Sequence, residues 1–121
     1  MSVSYLDVGK ESEPYHLFEF GINAEQTRHK YITRMKKFLK VVGIDQDNTL
    51  TIQEQCKMFA EKARSEDGWL VNITIQYLQY QKDRVNRKEI TGSTLRNYVK
   101  VIKLFCEMND LIVEEAHERT P

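Results

Sequence analysis

Apolar residues recur at helical spacing along four stretches of this chain and predict helices near 25–42, 52–66, 69–86 and 92–109. The last is the most strongly patterned. Leu95, Tyr98, Val99, Ile102, Phe105 and Cys106 fall on one side, and Val101, Leu104 and Met108 widen the stripe past half the circumference. A helix that apolar must be packed by several others. Its remaining strip carries Arg96, Asn97, Lys100, Lys103 and Glu107 in steps of three and four, so these side chains share a face. Thr91 or Ser93 can cap its N-terminus.

The other three helices are marked by their stripes and their ends. In the first, Tyr31, Met35, Phe38, Leu39 and Val42 form the buried stripe, Ile32 widens it, and Gly43 stops it. The second buries Cys56, Phe59, Ala60 and Ala63, and Thr51 with Glu54 three residues on has the spacing of a capping box. Asp67–Gly68 then breaks the pattern. The third carries Trp69, Leu70, Ile73, Tyr77, Leu78 and Tyr80; the β-branched run Val71–Ile75 could suit a strand, but the longer period favours helix. Its end is basic: Lys82, Arg84, Arg87 and Lys88. One core is expected from Phe38, Phe59, Trp69, Leu78, Tyr98, Ile102 and Phe105.

Residues 1–23, with Pro14 and two glycines, show no helical period and read as a loosely ordered acidic arm from which Phe18, Phe20 and Ile22 could dock on the core. A helical body over 24–110 and an acidic tail over 111–121 complete the chain. The expected fold is all-α, a compact four-helix orthogonal bundle with an irregular N-terminal arm.

Composition narrows the class. A chain of 121 residues is one domain, long enough to bury roughly two-thirds of its unfolded surface. Cys56 and Cys106 lie inside apolar helical patterns and no secretory signal precedes them, so they read as free thiols in a reducing cytoplasm. No apolar run approaches the ~20 residues of a membrane span. Net charge is zero, which alone argues against nucleic acid, but its distribution argues the other way. Arg28, Lys30, Arg34, Lys36, Lys37 and Lys40 fall between positions 28 and 43 without an acid, and 71–104 hold seven cations against Asp83 and Glu89. The segments 1–27, 44–70 and 105–121 are acidic in balance. Alternating blocks of that size can gather into one basic face.

Catalytic signals are missing. Of His16, His29 and His117, only His117 has close acidic neighbours, in the tail, where a solvated role is the better reading than a metal. There is no C-x-x-C, Gly-rich phosphate loop or G-x-S-x-G. No cofactor is expected.

With the four helices placed, residues 20–110 resemble the N-terminal core-binding, SAM-like domain of tyrosine recombinases, the phage-integrase family. Gly21–Gly43 is similar to the family's opening T-x-x-x-Y-x-x-x-L-x-x-F helix through Thr27, Tyr31, Met35 and Phe38. Ile90–Asn109 is similar to its closing helix through Thr94, Leu95, Tyr98, Ile102 and Phe105. KLFCEMND and the surroundings of Trp69 and Tyr80-Gln81-Lys82 resemble archaeal integrases. The resemblance implies a domain that clamps double-stranded DNA opposite a separate catalytic domain, with its first and last bundle helices crossing in the major groove. It places Thr27, Arg28, Lys30, Arg34 and Lys37 of the first helix, and Ser93, Arg96, Asn97, Lys100 and Lys103 of the last, on DNA. Arg and Asn can read G and A bidentately, while Lys mostly neutralises phosphate. Tyr31, Tyr98 and Phe105 are expected in the core.

The family's catalysis needs an Arg, a Lys, a His-x-x-Arg pair and a tyrosine nucleophile in a domain C-terminal to this one, and the chain stops where the interdomain linker would begin. The expectation is therefore a non-catalytic DNA-binding arm, working with a C-terminal catalytic domain or other recombinase protomers. The alternative is a helical protein–protein interaction module whose basic strips only keep it soluble.

Overall fold

The computed structural model describes residues 13–44, 47 and 49–111. Among them are five helices and no strand: α1 (Pro14–Phe20), α2 (Glu25–Val41), α3 (Ile52–Ser65), α4 (Trp69–Asn86) and α5 (Gly92–Met108). Four of these match the periodic stretches, and Val71–Ile75 is helical. The fifth, α1, corrects the expectation of an irregular arm. Pro14 sits in its first turn, where a fixed φ favours helix and a missing N–H costs nothing. Tyr15, Phe18 and Ile22 are buried in the core, whereas Phe20 is 81 % exposed. Two helical turns are too short to display a period, yet the three-and-four spacing of 15, 18 and 22 was the signal available. Residues 1–12 and the tail beyond 111, His117 included, lie outside the described residues.

The ends behave as their chemistry dictates. Thr51 accepts from the Glu54 N–H at 3.1 Å while the Glu54 carboxylate accepts from the Thr51 N–H at 2.8 Å, completing the capping box. Thr91, not Ser93, caps α5 by accepting from the Thr94 N–H at 3.1 Å. Helix α2 stops at Gly43, whose φ of 85° belongs to the left-handed region, with the Ile44 N–H on the Leu39 carbonyl at 3.0 Å. Helices α4 and α5 end with the same hydrogen-bond pattern, but on Lys88 (φ 66°) and Asp110 (φ 57°). The turn after α5 returns Leu111, which the sequence assigned to the tail, to a buried position.

Helices α3 and α5 form the centre, and α1, α2 and α4 each pack against both. An aromatic chain joins all five. Phe18 of α1 meets Phe105 of α5 at 5.7 Å between ring centroids, and Phe105 meets Phe59 of α3 at 5.6 Å. Phe59 in turn meets Phe38 of α2 at 5.4 Å and Trp69 of α4 at 5.2 Å, and Phe38 meets Tyr77 of α4 at 4.8 Å. All are edge-on or tilted, the arrangement the ring quadrupoles favour by about 0.5–1.5 kcal/mol per pair beyond burial. Of the seven residues expected to form the core, Phe38, Phe59, Ile102 and Phe105 are buried, while Trp69 and Tyr98 are half-buried against it. Leu78 is displaced: it lines an apolar groove with Val99 and Ile102 instead.

Asn109 locks the far end of α5. Its side-chain amide donates to the carbonyls of Pro14 and Phe105, both at 3.1 Å, and its own carbonyl accepts from Arg64 at 2.9 Å. One buried residue thus ties α5 to the start of α1 and to α3. Beside it, Gly21 runs so close to Met108 and Leu104 that an added Cβ would meet the Met108 Cγ at 2.7 Å.

Candidate nucleic-acid interface

Helix α2 packs beside α5, and parts of their polar strips border the hollows between them. Two clefts open along α2. The first, of about 440 Å3, lies at its N-terminal half and is walled by Thr27 and Tyr31 on one side and by Lys100, Lys103, Leu104 and Glu107 on the other. The second, of about 410 Å3, lies at its C-terminal half, where Arg34, Lys37 and Lys40 face Tyr77, Tyr80, Gln81 and Arg84 of α4 and Tyr98 of α5.

The ten residues placed on DNA by the resemblance divide three ways. Thr27, Lys100 and Lys103 line the first cleft, and Arg34 and Lys37 the second. Thr27 donates its hydroxyl proton to the Ala24 carbonyl at 2.8 Å, so it helps to start α2. Arg28 turns away to α1, with its guanidinium 2.6 Å from Glu19 and 3.5 Å from Glu25. Lys30, Ser93 and Arg96 are exposed and Asn97 is half-buried, and none of the four lines a cleft described above.

Charge on this face is largely uncompensated. Among the described residues no acid comes within ion-pair distance of Arg34, Lys37, Lys40, Arg96, Lys100 or Lys103. The acid of the second cleft, Glu89, is held by Arg87 at 2.7 Å and Arg84 at 3.2 Å. Those hydrogen bonds, Arg87 first, hold its carboxyl below its usual value. Arg84 also donates to the side-chain Oε1 of Gln81 at 3.1 Å and stands over the Tyr80 ring at 6.0 Å. Burial pushes the Tyr77 hydroxyl up to about 12 despite a hydrogen bond with Gln81, so the phenol stays protonated at neutral pH and adds no negative charge.

The sequence reading missed Lys40, Tyr77, Tyr80, Gln81 and Arg84 as cleft residues. The signal was there: 77, 80, 81 and 84 continue one face of α4 into its basic end. Tyr80, which the helical spacing puts on the apolar stripe, is 45 % exposed. Among the described residues no three His, Cys, Asp or Glu side chains gather closely enough to hold a metal, and no helix is long and apolar enough to cross a membrane. Cys56 and Cys106 are both buried. The chain matches no protein-family model, no curated protein and no solved structure.

Proposed function

We propose that this chain binds duplex DNA through the α2/α5 face, as the non-catalytic core-binding arm of a tyrosine recombinase. In this reading α2–α5 are the four-helix SAM-like bundle and α1 is an addition to it. Strand cleavage belongs to a catalytic domain outside this chain, other protomers share the site, and the setting is a cytoplasm in which Cys56 and Cys106 stay reduced. One observation carries the proposal: cations without ion-pair partners among the described residues line both clefts along α2, Lys100 and Lys103 of α5 in the first and Arg34, Lys37 and Lys40 of α2 in the second. Unpaired like charges side by side do nothing for folding, whereas a row of phosphates would neutralise them and release condensed counterions.

Fluorescence anisotropy with a labelled duplex over a series of salt concentrations tests this. The logarithm of affinity should fall linearly with the logarithm of salt, by about 0.9 for each phosphate neutralised. Absence of binding at low salt would instead favour a protein-interaction module. Phe20 and Ile75, exposed by 81 % and 59 %, are the side chains such a partner would cover.

A further inference from the structure

The second cleft differs from the first in kind. Besides three cations of α2 it has tyrosine rings on its walls, and it does not end there. Val41, Tyr77 and Tyr80 are shared with an adjoining hollow of about 220 Å3, whose other walls are Val42, Ile73 and Gln76. The two thus adjoin along these shared walls as a depression with a cationic end and an apolar end, Tyr80 lining both. Tyr80 and Val41 are large apolar groups each left 45 % exposed.

The rod of an intact duplex cannot fill such a recess, because its bases are stacked inside and only phosphates reach the rim. A bare anion would leave the apolar end empty, and an apolar ligand would leave Arg34, Lys37 and Lys40 without counter-charge. A nucleotide uses both ends: phosphate for the cations, a flat ring for tyrosine, and a hydrogen-bonding edge for the Gln76 amide. We propose that the depression receives one unstacked nucleotide of the DNA held by the α2/α5 face, its phosphate against Arg34, Lys37 and Lys40 and its base against Tyr80 and Ile73. This rests on the DNA-binding reading above and adds a substrate class to it: DNA carrying a bulge, gap or branch is preferred to a perfect duplex. Arg84, over the Tyr80 ring at 6.0 Å, holds that ring and is a positioning residue.

The test compares an intact duplex, the same duplex with a single extra 2-aminopurine nucleotide, and free deoxyadenosine monophosphate. The bulged duplex should bind more tightly by roughly fivefold to a hundredfold, the range that stacking one base on an aromatic ring supplies. The 2-aminopurine fluorescence should change at saturation. Tyr80→Ala, with unchanged melting, should bring the bulged duplex down to the intact affinity, and Tyr80→Phe should keep the preference. Equal affinity for both duplexes with unaltered fluorescence would overturn the inference while a salt-dependent duplex affinity left the DNA reading standing. A bulge preference surviving Tyr80→Ala would also overturn it, as would saturable capture of the free nucleotide without bulge preference. Failure to bind either duplex at low salt would remove both readings together.

Discussion

The molecule treats charge differently on its two sides. Around α1 and α3 the cations are mostly used internally: Arg28 on Glu19 and Glu25, Lys62 on Glu66 at 2.9 Å and over the Trp69 ring at 5.6 Å, Arg64 on the Asn109 carbonyl. Along α2 and α5, Arg34, Lys37, Arg96, Lys100 and Lys103 have no such partners among the described residues. Exposed ion pairs contribute only about 0–1 kcal/mol each, so neither side's charge holds the fold together. The difference therefore concerns what the surface meets. One side closes on itself, and the other presents cations to something outside the fold.

The largest effect expected belongs to the core that separates the two sides. Phe105 is fully buried and touches the rings of Phe18 and Phe59. Phe105→Ala should cost about 3–5 kcal/mol, enough to unfold most of a marginal domain. Phe18→Ala should cost a similar amount if α1 is part of the core. Thermal melting of both variants decides the matter: a Phe18→Ala shift of only a degree or two would make α1 a loose appendage.

The core was the most legible part of the chain. Phe38, Phe59, Ile102 and Phe105 stood at helical spacing inside long elements, and burial follows directly from such a stripe. Two things were hidden for physical reasons. Helix α1 has too few turns to show a period, so its identity comes from Tyr15 and Phe18 finding a tertiary surface. The clefts need residues brought together from α2, α4 and α5, and no periodicity within one helix reports which neighbour faces it. The basic strips themselves were visible in sequence; that Arg28 leaves its strip to bind Glu19 was not.

For the cation face, Lys100→Ala with Lys103→Ala should weaken binding to every duplex and flatten the log–log salt slope by roughly two units. The matched control is Lys57→Ala with Lys62→Ala on α3, which should change little. Equal losses from the two pairs would erase the contrast between the sides. Arg96→Ala sharpens it in another way: if Arg96 reads a base, preference at one position of the site should relax by about 1–3 kcal/mol. Binding to a set of single-position site variants measures that.

Alkaline pH should act on the closed side. Burial pushes the Cys56 thiol up to about 12 in the folded protein. A folded value above the unfolded one, about 8.5, means that unfolding releases a proton at high pH. The stabilisation is complete below pH ~8.5 and declines as pH rises towards the folded value. Between pH 8 and 9.5, below the lysine range, the wild type should lose about 1 kcal/mol from this group, and Cys56→Ala should lose correspondingly less. Urea midpoints at the two pH values provide the comparison.

The smallest expected effect is the most discriminating one. Arg28 lies on the helix that carries the basic strip, and the family resemblance placed it on DNA, yet its guanidinium is 2.6 Å from Glu19 of α1. Both side chains remain about one-third exposed, which keeps the pair within the ~0–1 kcal/mol of surface ion pairs. Arg28→Ala and Glu19→Ala should each lower stability by less than about 1 kcal/mol, and the double variant should cost less than their sum because one interaction is removed twice. The DNA salt slope should stay unchanged in Arg28→Ala. A drop of about 0.9 in that slope would mean that Arg28 leaves Glu19 for a phosphate when DNA binds. Glu19→Ala would then tighten binding by freeing the arginine in advance. In that case α1 is not part of a closed side but a counter-charge that DNA displaces, and the boundary between the two sides runs through Arg28 itself.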